Sequence, residues 1–153
     1  MIPVFAWERA GQGWIAREST RLVGLIRVVN IALAGEEVMT TAAPGLTLAV
    51  LLTAGPFVAM LFLAAFLRAR HVETWAKGLA HRGRPRDESE NGLPSGDCAI
   101  VTIWATVLLG WWAVLPIAFV MWARMALGAH WPLDTVAGVA MGLALIAPAL
   151  VLR

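Results

Sequence analysis

From residue 45 to residue 67 the chain runs for twenty-three positions without one ionisable side chain. As an α-helix that stretch spans ~34 Å, enough to cross the ~30 Å hydrocarbon core of a bilayer. It is the clearest membrane span, and Pro56 is placed to kink it. A second charge-free run, residues 98–123, is too long for one such helix. Gly110, Trp111, Trp112 and Pro116 interrupt it, so it reads as a hairpin of two short helices that turns near residues 110–112. The last span covers residues 132–152, with Pro132 tolerated in its first turn. Residues 22–34 form a shorter first span, broken by Arg27 and Asn30. Its helix of ~20 Å either lies along the interface or crosses tilted, with Arg27 snorkelling to the headgroups.

Composition agrees with this patterning. Of 153 residues, 59% are hydrophobic and 14% charged, and the mean hydropathy is +0.74. That describes an integral membrane protein of one domain. The expected architecture is an all-α, polytopic transmembrane helix bundle of about five spans. Residues 1–21 precede it as an interfacial arm, and residues 22–153 form the transmembrane domain. A net charge of +2 gives no case for nucleic acid. The single cysteine, Cys98, excludes an internal disulfide. Trp75, Trp111, Trp112 and Trp131 fall at expected helix ends, where indole rings anchor to the interface. Gly138 and Gly142 form a small-xxx-small pair suited to close packing within the bundle.

Against this apolar background, residues 124–134 bring together Arg124, His130 and Asp134. Ionisable groups in a membrane setting are costly unless paired or wet, so such a cluster is a functional hypothesis by default. His130 and Asp134 are four apart, about one helical turn, so the carboxylate can accept from one ring nitrogen and leave the other to attack. Arg124 can present a planar fork to a phosphate or carboxylate. Lys77 and Arg84 are seven apart, and a helix continued to Gly83 would aim both along one side. Ser95 and Gly96 open the next helix, where free backbone N–H groups and the positive dipole end favour an anion. Each piece has a plainer reading as well: a structural His–Asp pair, an ordinary N-cap, and a basic loop facing anionic headgroups.

Together the three stretches resemble the type 2 phosphatidic acid phosphatase family, whose signature is K-x6-R-P, then P-S-G-H, then S-R-x5-H-x3-D. Lys77-x6-Arg84-Pro85 fits the first motif, Pro94-Ser95-Gly96 the second except for its last residue, and Arg124-x5-His130-x3-Asp134 the third. The resemblance covers roughly residues 45–152. It implies a phosphatase of membrane lipid phosphates that works through a phosphohistidine, without metal or other cofactor. Carried over by position, it makes His130 the nucleophile and Asp134 its orienter. Lys77, Arg84, Arg124, Ser95 and the Gly96 amide would bind the phosphoryl oxygens.

Three departures from the family pattern bear on that expectation. Asp97 stands where the family has the histidine that protonates the leaving oxygen, Ala123 replaces the serine before Arg124, and the chain is trimmed, with one span fewer than the family's six. A second copy of the chain would restore missing lipid-facing helices. Asp97 either is held protonated by burial and serves as the acid, or pairs with Arg82 or Arg84 as a charged structural group. In the paired case substrates with a good leaving group, such as lipid diphosphates, are favoured, and His81 is a substitute proton donor. The alternatives are a degenerate member that binds a phosphorylated lipid without turnover and a structural membrane protein. By resemblance the location is the bacterial inner membrane. The positive-inside rule favours a cytoplasmic site, whereas bacterial relatives favour the outer face.

Overall fold

The computed structural model describes residues 4–18 and 23–152, so the ends of the expected 1–21 arm and the Leu22 start of the first span lie outside it. Helix α1 covers Ala6–Glu18, α2 Val23–Ala34, α3 Glu36–Ala54 and α4 Pro56–Ala80. After the connection through residues 81–95 come α5 (Gly96–Leu109), a 3-10 turn (Gly110–Ala113), α6 (Val114–Ala126) and α7 (Pro132–Val151). Among the described residues the extended pairing is one isolated antiparallel bridge, Gly83 with Asn91.

The continuous span expected over residues 45–67 is corrected. The chain turns at Gly55, whose φ of 88° lies in the region that favours glycine, and Pro56 starts α4 where its missing N–H is harmless. Helices α3 and α4 run back along each other, so that Thr40 and Arg70, and Thr47 and Leu63, line the same groove. The polar connection expected after the first span is helical too, because α3 already begins at Glu36. A turn preserves burial here: Met39 and Val50 of α3 pack with Val58, Phe62 and Phe66 of α4 in one core with Ile103 and Ile146.

Residues 96–126 double back through the 3-10 turn. Val101 of α5 and Val120 of α6 share a core with Cys98, and Arg124 near the end of α6 contacts Asp97 at the start of α5. The turn points outward, with Trp111 97% exposed and Trp112 72% exposed. Helix α7 lies close on α5. A Cβ at Gly138 would stand 2.2 Å from the Ser95 carbonyl oxygen, and one at Gly142 would stand 2.6 Å from that of Ala99. These two glycines therefore set the α5–α7 separation by the absence of side chains.

By length and composition alone, two described stretches pass as membrane-length, Pro132–Val151 and residues 96–126, the second of them folded into the hairpin just described. The bent pair Val23–Ala34 and Val38–Ala54, with 47° between its parts, makes up to a third. The chain is predominantly helical, with membrane-length apolar helices. Its polar ends gather at one end of the bundle: the end of α4, the start of α5, the end of α6 and the start of α7.

Candidate active site

The charged half of α4 places Arg70, Glu73, Thr74 and Lys77 at three- and four-residue intervals, which is one helix face. The helix stops at Ala80 rather than continuing to Gly83, because His81 is left-handed at φ 43°. Arg84 therefore projects from a loop. Residues 82–92 close on themselves through Gly92 N–H to Arg82 O (2.6 Å) and Arg84 N–H to Glu90 O (3.1 Å). Trp131, expected as an interfacial anchor, holds that loop by donating from Nε1 to Gly83 O at 2.9 Å.

The turn between α6 and α7 is built on one carbonyl. Arg124 O accepts from Ala129 N at 2.9 Å and from His130 N at 3.3 Å, and this brings the imidazole back over the arginine. The result is a cavity of about 350 Å³ lined by Lys77, Arg84, Gly96, Asp97, Arg124 and His130. Arg70, Glu73 and Thr74 complete the wall. Ser95 is buried beneath it instead. Its side chain makes no cap hydrogen bond, and its amide donates to Asp134 O at 2.9 Å. His81 is exposed and is not part of the cavity wall.

His130 is 2% exposed, and its Nδ1 lies 3.7 Å from Asp134 Oδ2. That is longer than a hydrogen bond, and Nδ1 has no hydrogen-bond partner among the described residues. Burial pushes the imidazole below its ordinary value of 6.5 and the Arg124 and Arg84 charges act the same way, with Asp134 opposing. The neutral form of the ring is favoured as a result. Asp134 is itself held on both oxygens, Oδ2 by Trp131 N–H at 2.9 Å and Oδ1 by Arg82 at 2.9 Å.

Arg82, expected from the sequence only as a partner of Asp97, has a different place. It is fully buried and bridges Asp134 to Glu8 of α1. Glu8 accepts in turn from Leu133 N–H at 3.1 Å, at the start of α7. No sequence signal marks this chain of contacts, since Glu8 and Arg82 are 74 positions apart. Glu73 went unremarked, although it is the sole acidic residue between positions 38 and 86 and sits at helical spacing from Arg70 and Lys77. It binds both, at 2.9 Å and 2.5 Å. A Cβ at Gly96 would stand 1.9 Å from Glu73 Oε2, so the carboxylate rests on the first residue of α5.

Asp97 corrects a further expectation. It pairs neither with Arg82 nor with Arg84 but with Arg124 at 2.9 Å, and it lies 3.8 Å from Arg70. Arg84 instead meets Glu90 at 2.7 Å. Two carboxylates, Glu73 and Asp97, therefore already engage cations of the cavity, as a bound anion would. Among the described residues no group of three His, Cys, Asp or Glu side chains is placed to hold a metal ion.

The family model described as PAP2 superfamily matches residues 52–153. The chain belongs to the PAP2 superfamily. No curated protein and no solved structure matches it. Every residue of the cavity wall falls inside the matched PAP2 region, whereas Glu8, which anchors Arg82 from the far side, falls outside it.

Proposed function

We propose that this PAP2 chain is a multi-pass membrane phosphatase that removes the terminal phosphoryl group of a lipid phosphate, with lipid diphosphates preferred. The observation that carries the reading is the convergence of Lys77, Arg84, Arg124 and His130 on one cavity with Asp134 behind the imidazole. Phosphoryl transfer is mostly positioning and charge stabilisation, and three cations around a buried neutral histidine supply both. The reading needs no metal, because Lys77, Arg84 and Arg124 neutralise the phosphoryl oxygens.

In the reaction, His130 Nε2 attacks the terminal phosphorus, the phosphorus–oxygen bond to the lipid breaks, and the lipid leaves with the bridging oxygen. The proton on Nδ1 stays with the imidazole, whose developing positive charge faces Asp134. Water then attacks the phosphohistidine, the N–P bond breaks, inorganic phosphate leaves, and the proton lost by water is taken up by the departing phosphate. Asp97, paired to Arg124, is read as a charged group that gives no proton to the leaving oxygen. A lipid phosphate needs no such proton, which is the basis of the diphosphate preference.

Five crossings fit the bundle: α2 with α3, then α4, α5, α6 and α7. Residues 1–21 form the arm and residues 22–153 the catalytic domain, in a bacterial inner membrane. A second reading, a binder of phosphorylated lipid without turnover, is favoured by Glu73 and Asp97 already meeting the cations. Phosphate release from a panel of lipid mono- and diphosphates by purified protein, with His130→Ala as control, separates the two. The proposal expects release and an acid-labile phosphoenzyme in the natural chain and neither in the variant. Release that persists in His130→Ala removes the nucleophile assignment.

A further inference from the structure

Arg27 and Asn30 interrupt the apolar helix α2, and the reaction described above uses neither. Three residues apart, they share a helix face, and both line a second cavity of about 410 Å³. Arg84 and Arg124 line this cavity as well as the first one, so an anion in either lies next to an anion in the other. Arg86 completes the cationic wall, against the carboxylates of Asp87 and Glu90. Arg86 is laid across Gly128, where a Cβ would stand 2.9 Å from its Cγ and Nε. Asn30 is 2% exposed, yet its Oδ1 has no hydrogen-bond partner among the described residues. A buried amide whose oxygen is left unpaired beside a cationic cavity is met either by a donor or by the flipped amide, which turns its NH2 to an anion there.

We infer that this cavity is a second phosphoryl subsite, which takes the lipid-proximal phosphate of a diphosphate whose terminal phosphoryl group lies against His130. The inference rests on the phosphatase reading and adds to it a place for the second phosphate of the diphosphate. The two phosphates of such a lipid share one bridging oxygen, and the two arginines common to both cavities stand where that bridge would run. When the bridge is cleaved its oxygen leaves with the lipid phosphate, and the new charge falls beside Arg27 and Arg86. These cations stabilise a leaving group that Asp97 does not protonate. Turned about its last torsion, the Asn30 amide presents its NH2 to the same oxygens.

The test is binding without turnover. A long-chain alkyl methylenediphosphonate and the matching alkyl phosphonate are titrated into purified protein in detergent. The natural chain is expected to bind the diphosphonate at least tenfold more tightly. Arg27→Ala and Arg86→Ala should each bring that preference within threefold while the phosphonate still binds, and Arg27→Lys should keep most of it. Equal affinities in the natural chain, or an undiminished preference in both alanine variants, overturns the subsite. Loss of both ligands in the alanine variants marks a folding role and overturns it too. Free phosphate that binds beside a saturating alkyl phosphonate, dependent on Arg27, shows a separate anion site and overturns the single-ligand form. No outcome depends on chemistry at His130, so failure of the phosphohistidine reading is seen separately in the release assay.

Discussion

Arg82 Nη1 donates to Asp134 Oδ1 at 2.9 Å, and both side chains are withdrawn completely from solvent. The carboxylate behind His130 is thus fixed by a guanidinium 52 positions earlier in the chain, which Glu8 fixes in turn. A buried ion pair adds little stability relative to apolar packing, but breaking one leaves an uncompensated charge. Arg82→Met leaves two carboxylates, Glu8 and Asp134, facing each other. It should destabilise the fold by ~3–5 kcal/mol, read as a lowered Tm in detergent, and should abolish phosphoenzyme formation. A variant that melts like the natural chain would remove Arg82 from the support of the site.

The lowered value of His130 gives stability a definite pH dependence. The unfolded histidine takes up a proton near 6.5, whereas the folded one does so only further into acid. As pH falls through 6.5 the unfolded chain binds more protons, and the contribution of His130 to stability is progressively lost down to its folded value. Above that window the contribution is complete. Melting curves from pH 8 to pH 5 should show an acid-side loss that His130→Gln reduces, and the acid limb of kcat/KM should lie below pH 6.5. Identical pH profiles of melting for the two proteins would contradict this.

In the proposed site Glu73 would compete with the substrate's phosphoryl group. Its carboxylate holds Lys77 at 2.5 Å and rests on Gly96, where the amides opening α5 favour an anion. Glu73→Gln keeps the shape and removes the charge. The variant should bind orthovanadate, a phosphate mimic, about fivefold or more tightly, a change of ~1 kcal/mol. Weaker vanadate inhibition would mean that the carboxylate orders Lys77 rather than opposing the phosphate.

At position 97 the expected gain is chemical. Asp97→His restores a group able to protonate a leaving alkoxide and releases Arg124 from its 2.9 Å partner. Cleavage of lipid monophosphates should accelerate tenfold or more at neutral pH, within the usual range for general acid catalysis, while diphosphate cleavage changes little. Equal monophosphate rates in the natural and variant proteins would show that Asp97 already serves as the acid.

The contact of Glu8 with Arg82 places α1 at the same end of the bundle as the loop of residues 82–92. Arg9 and Glu90 are both exposed, and the native Cys98 is buried. Single cysteines at Arg9 and Glu90 should therefore label from one side of the membrane in intact cells. Labelling from opposite sides would break the five-crossing arrangement.

What could be read from residue order alone was much of what local spacing governs. The helical class, the outward hairpin turn at residues 110–113, the close glycine approach of α7 and the one-turn His130–Asp134 interval are all local or periodic properties. The Gly55–Pro56 turn was also written there, as a dipeptide that punctuates helices, but the apolar run around it fits a single crossing equally well by length. Packing of Val50 against Val58 and Phe62 selected the turn. Tertiary structure alone decided the charge partners. In a low-dielectric interior each ion pairs with whichever opposite charge folding brings within reach, so Glu8 met Arg82, and Asp97 met Arg124 rather than the arginines nearer to it in sequence.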